Sequence, residues 1–455
     1  MQSTLKLTFH GGAGRVTGAN FLLEEPDGAK ILVDCGMIQG GKLYEDLNRE
    51  PFAYDPSSVD ILFVTHGHLD HVGRIPHLIH QGFKGRIIST EPTKDIAELI
   101  LLDSMGILEK ESRYNNVPMP YDEDDVHSAL RLWETLPYRE KRELGNFTYE
   151  LLDAGHILGS SMVRLVYAGK TIVFTGDLGN SPAPLLKDTE SVQGANYLIM
   201  ESVYGDRNHE ERQERKRLLE SVIEETIKKG GVLMIPAFSV ERTQVLLYEI
   251  NEMVENGRIP RVPMFLDSPL AIKVTKIYKK HEKLFNQGAR EIIKSGDDIF
   301  RFPGLKYTLE TEESKAINRE KPPYIVMAGS GMSNGGRITH HEKHHLGDPN
   351  STLLLIGYQA AGTLGRRLQD GAKKVTLHGE TVDVRARIAN ISGYSAHKDR
   401  DGLLELVNTA ADTLSQVFCV MGEPKSSLSL VQRIRDYMGI RATAPREGES
   451  VTLDV

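Results

Sequence analysis

The chain has 455 residues, 40% of them hydrophobic and 26% charged, and its formal net charge is -8. This length predicts two or three domains, and the composition is typical of a globular protein. The sequence shows neither a long apolar run nor a leader-like start, which predicts a cytoplasmic protein that does not enter a membrane. Residues 206–372 carry 26 Lys and Arg against 23 Asp and Glu, so an anionic partner is expected there.

The first predicted strands lead to a cluster of metal-binding side chains. Strands are expected at 5–10, 20–23 and 30–34, and Asp34 ends the third of them. The apolar run Ile61–Val64 is followed directly by His66-Gly67-His68-Leu69-Asp70-His71. Imidazole and carboxylate groups crowded at the end of a strand suit a divalent ion such as zinc.

Polar residues occupy further strand ends along the chain. Helices are expected at 70–80 and within 93–136, and strands at 148–152, 161–167, 171–175 and 196–200. The strand-end residues that can bind a metal or exchange a proton are Asp34, His66, His68, Asp70, His71, His156, Asp177 and Glu201. Eight such residues predict one site along a sheet edge.

These side chains divide between two metal ions and a proton donor. The expected ligands are His66, His68, His156 and Asp177 for a first zinc ion, and Asp70, His71 and the bridging Asp177 for a second ion. Two such ions can share a hydroxide and hold a transferring phosphoryl group, which is hydrolytic chemistry. Asp34 is expected to orient a ligand. Glu201 and His397 are expected to form a carboxylate–imidazole pair, with His397 as general acid.

Residues 206–372 predict a second domain of another kind. Helices and strands alternate there, which is typical of a parallel sheet. Its predicted strands end in glycine and hydroxyl residues before helix N-termini, an arrangement that suits phosphate binding. Since no long linker flanks this region, we expect it to be inserted in the first domain, which comprises residues 1–205 and 373–455.

The motifs together resemble the metallo-β-lactamase superfamily. The block at 66–71 is similar to the metal-binding motif of that family. Asp34 before the block, and His156 and Asp177 after it, follow the order of the family's other motifs. The stretches 201–205, 236–244 and 393–397 resemble the β-CASP branch, the nucleases related to the cleavage-and-polyadenylation endonuclease. The resemblance implies an α/β fold, namely an αββα sandwich with an inserted β-CASP parallel-sheet domain. It also implies that the protein acts on single-stranded RNA.

One position departs from the family pattern. The last motif normally supplies a histidine to the second metal, but the matching stretch here is Cys419-Val420-Met421-Gly422-Glu423. Met421 stands in the histidine's place, and a thioether is a poor zinc ligand beside nitrogen and oxygen ligands. We therefore expect the second ion to bind more weakly, with Mn²⁺ as an alternative occupant.

Three functions fit these residues to different degrees. The first is a zinc-dependent ribonuclease that cleaves phosphodiester bonds with a metal-bound hydroxide. The second is an RNA-binding protein or complex subunit with a degenerate, weakly active metal site, which Met421 favours. The third is a small-ester hydrolase, which the large insert argues against. These residues are compatible with endonuclease or exonuclease action and with RNA or DNA as the substrate.

The substrate contacts are expected in the insert. The residues predicted to lie near phosphates are Ser239, Arg242, Ser330, Ser333 and Arg337. Since members of the family often dimerise, a homodimer is the expected assembly.

Overall fold

The computed structural model describes residues 4–26, 28–40, 46–210, 212–360 and 362–455. These residues form two compact units. The first comprises Met1–Asn208 and His397–Val455, and the second comprises His209–Ala396. The chain therefore leaves the first unit once and returns to it, as expected for an inserted domain.

The first unit contains two seven-stranded sheets. Its strands are β1 (Thr4–Gly11), β2 (Asn20–Glu24), β3 (Lys30–Val33), β4 (Ile61–Phe63), β5 (Arg86–Ser89), β6 (Trp133–Thr135), β7 (Arg142–Leu144), β8 (Phe147–Asp153), β9 (Ser161–Tyr167), β10 (Lys170–Phe174), β11 (Tyr197–Glu201), β20 (Gln416–Val420), β21 (Ala442–Thr443) and β22 (Ser450–Asp454). One sheet has the order β22-β1-β2-β3-β4-β5-β6 and the other β21-β20-β11-β10-β9-β8-β7.

Helices cover the outer face of each sheet. They are α1 (Leu69–Val72), α2 (Ile75–His80), α3 (Glu91–Asn115), α4 (Glu123–Arg131), α12 (Arg400–Asn408) and α13 (Pro424–Met438), with a 3₁₀ helix at Pro56–Ser58. The core between the sheets joins Phe9 and Phe63 of one sheet to Phe174 and Phe418 of the other. Two further apolar clusters lie between each sheet and its helices. This is the expected αββα sandwich, because each sheet is apolar on both faces.

Two local predictions in the first unit need correction. The helix expected at 70–80 is two short helices, since α1 ends at Gly73 and Pro76 occupies the first turn of α2. The sequence also predicts a polar loop at 111–125, between the helices within 93–136, but the long helix α3 extends to Asn115. It ends where Asn116 adopts φ 54°, a left-handed conformation that asparagine tolerates.

Hydrogen bonds join the two chain crossings where the first unit is interrupted. Tyr204 and Asp399 form a parallel bridge, and the Arg400 amide donates to the Arg207 carbonyl at 3.1 Å. The Asn208 amide nitrogen donates to the Asp401 carboxylate at 2.6 Å. These contacts hold the segment that leaves the first unit against the segment that returns to it.

The second unit is built on a parallel sheet. Its strands are β12 (Val232–Pro236), β13 (Met264–Leu266), β14 (Leu305–Tyr307), β15 (Tyr324–Ala328), β16 (Thr352–Ile356), β17 (Lys374–Leu377), β18 (Glu380–Asp383) and β19 (Arg387–Ile391). Six of them form one sheet in the order β14-β13-β15-β12-β16-β19, with all neighbours parallel, while β17 and β18 form a hairpin.

Helices alternate with these strands. They are α5 (Arg212–Lys228), α6 (Arg242–Glu255), α7 (Pro269–Lys280), α8 (Gln287–Lys294), α9 (Thr311–Ile317), α10 (Ile338–His345) and α11 (Leu364–Gln369), with 3₁₀ helices at Glu282–Leu284 and Ser392–Tyr394. None of the helices within the described ranges is long and apolar enough to span a bilayer.

The boundaries of this unit differ from those expected. The sequence predicts an insert that ends at residue 372, whereas the second unit continues to Ala396. The physical reason is β19, which pairs in parallel with β16 over five residues, from Thr352 with Arg387 to Ile356 with Ile391. The segment that leads to His397 therefore belongs to the second unit's sheet.

A buried carboxyl group fixes a loop at one edge of that sheet. Glu342 of α10 is inaccessible to solvent, and it accepts a hydrogen bond from the Ser333 hydroxyl. Burial raises the pKa of Glu342 to about 8, although the Ser333 hydroxyl counteracts it. The carboxyl group is consequently protonated in the folded protein at pH values where it would ionise in the unfolded chain.

Glu342→Gln is expected to reduce the pH dependence of stability. A raised carboxyl pKa means that the folded state keeps a proton which the unfolded state loses. Wild-type stability from this group therefore falls as pH rises from about 4.5 to 8, by roughly 4 kcal/mol. Scanning calorimetry should show a flatter pH profile for the glutamine variant. Exposed Glu255→Gln is the control, and an unchanged profile for both variants would contradict the assignment.

Candidate metal centre

Four side chains from three loops converge at one edge of the sandwich. His66 and His68 follow β4, His156 follows β8 and Asp177 follows β10. Their ligand atoms all lie within 4.8 Å of one another. His66 Nε2 is 3.0 Å from His68 Nδ1, and His156 Nε2 is 3.3 Å from the same nitrogen. The Asp177 carboxylate is 3.4 Å from His66 Nε2 and 3.6 Å from His156 Nε2.

These imidazoles are in the state that a metal requires. Burial, together with neighbouring imidazoles, lowers the pKa of His68 and of His156 well below the usual value. Burial and His71 also lower the pKa of His66. Neutral imidazole nitrogens directed at one point, with a carboxylate beside them, form the donor set that zinc and similar ions prefer.

A second set of ligand atoms lies on the other side of Asp177. His71 Nε2 is 3.4 Å from Asp177 Oδ1 and 4.0 Å from Asp70 Oδ2. In the part of the chain that the structure describes, His71 Nε2 and Asp177 Oδ1 are buried without a hydrogen-bond partner. Because such buried groups are normally satisfied, this pair fits a second cation.

The electrostatics of the second set support the same conclusion. Burial lowers the pKa of His71, but Asp177 and Asp34 outweigh it and raise the pKa well above its usual value. Burial raises the pKa of Asp70, and Asp177 raises it further. The excess of negative charge around His71 is thus neutralised by a proton or by a metal ion.

Asp34 orients the second set from the end of β3. Its Oδ2 accepts from His71 Nδ1 at 2.7 Å and from the Thr65 hydroxyl at 2.8 Å, and its Oδ1 accepts from the Thr65 amide at 2.8 Å. These bonds place the His71 proton on Nδ1 and leave Nε2 as the donor atom for a metal. Thr65 was not among the residues singled out in the sequence, since a threonine before a histidine block carries no metal signal.

His397 and Glu201 form a pair next to the first set. His397 Nδ1 is 3.2 Å from Glu201 Oε2 and 3.9 Å from Asp177 Oδ2. Glu201 is fully buried, whereas the His397 side chain is 27% exposed. Burial lowers the pKa of His397, but Glu201 and Asp177 outweigh it and raise the pKa to about 9. The imidazole therefore carries a proton at neutral pH and reaches solvent, as a proton donor must.

Met421 packs into the apolar core beside these residues. It directly follows β20, whose Val420 is paired with Glu201 of β11. Its side chain is 2% exposed and belongs to the core between the sheets. A Cβ atom at Gly12 would fall 2.5 Å from the Met421 sulfur, so the thioether lies directly against that glycine. The contacts are those of a packed hydrophobic side chain.

The residues expected near phosphates lie in the second unit, and two of them have internal roles. Ser333 is buried against Glu342, so its hydroxyl is not accessible to a polymer. Arg337 donates from Nη1 to Asp267 at 2.8 Å and from Nη2 to the Leu309 carbonyl at 2.8 Å. Both ends of the Arg337 guanidinium therefore bind groups of the protein, and a phosphate role for Ser333 and Arg337 stays a prediction.

The remaining three lie at the carboxyl edge of the parallel sheet. Ser239 Oγ is 3.5 Å from Ser268 Oγ. Ser330 Oγ accepts from the Asn334 amide at 3.1 Å. The Arg242 guanidinium lies next to Gly357. A Cβ atom at Gly357 would be 3.7 Å from Arg242 Nη2, which is an ordinary van der Waals distance. A phosphate role for these residues stays a prediction.

Asp267 is a further residue of this edge that the sequence analysis did not assign. It accepts hydrogen bonds from Thr308, Ser314, Arg337 and His341. Although burial raises the pKa of Asp267, these donors lower it to about 2. The only sequence signal was its position at the end of a predicted strand, which does not reveal four partners from distant segments.

Comparison with protein-family models gives three matches along the chain. Residues 13–222 match the metallo-beta-lactamase superfamily, residues 243–368 match the Beta-Casp domain, and residues 381–445 match the Zn-dependent metallo-hydrolase RNA specificity domain. The matched regions include all the ligand candidates and His397.

Curated proteins of similar sequence cover the same span. The chain is 36% identical to Ribonuclease TTHA0252 of Thermus thermophilus over 447 residues, which is 98% of this chain and 100% of that protein. It is 32% identical to an RNase J-like protein of Methanocaldococcus jannaschii, over 97% of this chain and 98% of that one. Transcription termination factor FttA of Methanosarcina mazei is 31% identical, over 99% of this chain and 72% of its own length.

A solved structure shares the fold at low sequence identity. A protein of unknown function from Enterococcus faecalis V583 superimposes with a TM-score of 0.57, over 99% of this chain and 100% of that chain. The two sequences are 13% identical, so the likeness concerns the fold alone.

Asp34→Asn is expected to weaken the second ion more than the first. The amide cannot accept all three hydrogen bonds that hold Thr65 and His71, so the His71 ring loses its fixed orientation. Loss of such an orienting group typically costs about 10–100-fold in metal affinity. Isothermal titration of metal-free protein with zinc measures both sites. Asp60→Asn, an exposed carboxylate at the start of β4, is the matched control, and equal affinities in both variants would contradict the role of Asp34.

Proposed function

The chain belongs to the β-CASP branch of the metallo-β-lactamase superfamily, and on this premise we propose that it is a metal-dependent ribonuclease that hydrolyses phosphodiester bonds in single-stranded RNA. The observation that carries the proposal is the convergence of His66, His68, His156 and Asp177 beside the protonated His397. The names of the two ribonuclease-type relatives support RNA as the substrate.

Two groups of residues would hold metal ions. The first group is His66, His68, His156 and Asp177, and the second is Asp70, His71 and the shared Asp177. Nitrogen and oxygen donors of this kind suit Zn²⁺, with Mn²⁺ as the alternative. An ion held by these residues would polarise a phosphodiester and make a water molecule more acidic.

The protein's own residues complete the chemistry around the phosphate. Asp70 and Asp177 supply the negative charge that keeps ions in place. Glu201 accepts the Nδ1 proton of His397, which leaves Nε2 to deliver a proton to the leaving oxygen. Ser239, Arg242 and Ser330 would contact phosphates further along the strand.

An RNA-binding subunit with a weak metal site is the second candidate. Met421 favours it, because its side chain packs in the core and offers no nitrogen donor to His71's ion. The orphaned atoms of His71 and Asp177 favour a working second site instead. Turnover separates the candidates, since a subunit binds RNA without cleaving it. The cytoplasmic location and the homodimer expected from the sequence stay predictions.

His397→Gln should abolish most RNA cleavage while metal content stays constant. Loss of a general acid costs roughly 10²–10⁴-fold in rate, and glutamine cannot carry the proton. The rate is measured on 5′-labelled RNA with zinc and with manganese, and metal content by elemental analysis. His127→Gln, at an exposed position of α4, is the control. Cleavage at the wild-type rate by the His397 variant, or cleavage that persists after chelation, would refute the mechanism.

Met421→His should raise both metal content and rate. The new imidazole would add a neutral nitrogen donor at the end of β20, next to the pairing of Val420 with Glu201. Met421→Leu keeps a side chain of similar volume without a donor and serves as the control. Elemental analysis should show a gain for the histidine variant alone. An unchanged metal stoichiometry and rate would remove Met421 from the account of the second site.

A further inference from the structure

Phe238 is an exposed aromatic side chain at the carboxyl edge of the second unit's sheet. It lies in the turn after β12 and is 39% exposed. A Cβ atom at Gly331 would fall 2.6, 2.8 and 2.9 Å from three atoms of the Phe238 ring. Such similar distances to adjacent atoms put that position over the face of the ring. The ring thus rests flat on the Gly331 backbone, which a side chain there would prevent.

Helix α7 begins at the same edge and carries only positive charge. Ser268 caps its N-terminus, and the Ser268 hydroxyl is 3.5 Å from that of Ser239, the neighbour of Phe238. The helix sequence has four lysines and no acidic residue. Its buried residues are Ala271, Ile272, Val274, Thr275 and Tyr278. The opposite side of the helix is therefore a cationic surface.

Three of the lysines lie on one face of α7. Lys273, Lys276 and Lys280 follow a spacing of three and four residues, which places them within one stripe about 10 Å long. All three are exposed. We call this stripe the lysine face. Lys279, off the stripe, is paired with Asp298 at 2.6 Å.

Part of the lysine face has no counter-charge. Within the described ranges of the chain, Lys273 and Lys276 form no ion pair with a carboxylate and no hydrogen bond. Some other exposed cations of the unit have carboxylate partners, among them Arg258 with Glu220 and Lys343 with Glu380. Lys273 and Lys276 are exposed, lie about one helical turn apart and have no such partner. Lysines of this kind can neutralise phosphates and so release the cations that are condensed on a nucleic acid.

We propose that Phe238 and the lysine face form a binding surface for single-stranded RNA on the second unit. One base stacks on the exposed Phe238 ring, and the phosphates that follow it run along Lys273, Lys276 and Lys280. Aromatic stacking combined with a positively charged track is the general way in which proteins hold single strands without reading sequence. This inference rests on the proposed function, which identifies the polyanion as RNA. An acidic protein segment would have no base to stack on Phe238.

Salt-dependent binding tests the proposal. The full-length, metal-loaded protein with His397→Gln binds a fluorescein-labelled 15-nucleotide polyuridine, and anisotropy gives Kd at several salt concentrations. Each phosphate contact to a single strand contributes about 0.7 to the slope of log Kd against log salt. Lys273→Ala with Lys276→Ala should therefore reduce the slope by about 1.4. Phe238→Ala should raise Kd about tenfold without changing the slope, and Phe238→Trp should preserve Kd.

A matched charge variant serves as the control. Lys228→Ala with Lys229→Ala removes two exposed lysines at the opposite edge of the same sheet and should leave the slope unchanged. An equal loss of slope in both double variants would overturn the proposal, because binding would then depend on overall charge. A wild-type slope after the Lys273 and Lys276 changes would also overturn it. So would equal affinity for polyglutamate of the same length, which would indicate an acidic protein as partner.

Two outcomes separate this inference from the proposed function. The chain with His397 intact is assayed on bis(p-nitrophenyl) phosphate, a phosphodiester too small to reach the lysine face, and on labelled RNA. If both substrates are hydrolysed, and the salt slope of RNA binding does not change when Lys273 and Lys276 are replaced, the binding surface is refuted and the nuclease is not. Lysine-dependent RNA binding without hydrolysis of either substrate refutes the nuclease alone.

Discussion

Asp177 is the side chain on which the arrangement of the metal centre depends. Its two oxygens lie within 4 Å of four imidazoles, those of His66, His71, His156 and His397. Burial alone would raise the pKa of Asp177, but His71 and its neighbours lower it well below the usual value. One buried carboxylate thereby holds together four rings supplied by three separate segments. The desolvation cost of the whole group is offset only while that charge is present.

The sequence was informative where the chemistry is contiguous. The block at 66–71 and the strand ends at Asp34, His156 and Asp177 could be located from hydrophobic runs and residue type. The structure brings the ligand atoms of His66, His68, His156 and Asp177 within 4.8 Å of one another. The second unit's edge was less legible. A serine near a helix start has the same sequence signature whether it binds a ligand or a neighbour. Ser333 has Glu342 as its partner, and that contact depends on burial that no local pattern reveals.

Sheet membership was the main fold-level property beyond the reach of local patterns. The strand Arg387–Ile391 pairs with β16 rather than with a strand of the first unit, and this pairing puts the domain boundary at Ala396. Hydrophobic alternation gives the faces of a strand and leaves its neighbours undetermined. Within the second unit, the buried Glu249 receives hydrogen bonds from Tyr394 and Arg215 and so secures the segment just before His397.

Tyr204 and Asn208 contact Asp399 and Asp401, which are far away in the sequence. The two segments that meet there are therefore synthesised at different times. Glu201 leaves the ribosome almost two hundred residues before His397, and the second unit can fold in that interval. Until residue 397 has emerged, a nascent chain with its histidine block already complete still lacks its proton donor. β20, which pairs with β11 behind Glu201, is made later still. His397 is therefore synthesised only after nearly the whole of the second unit, which ends at Ala396.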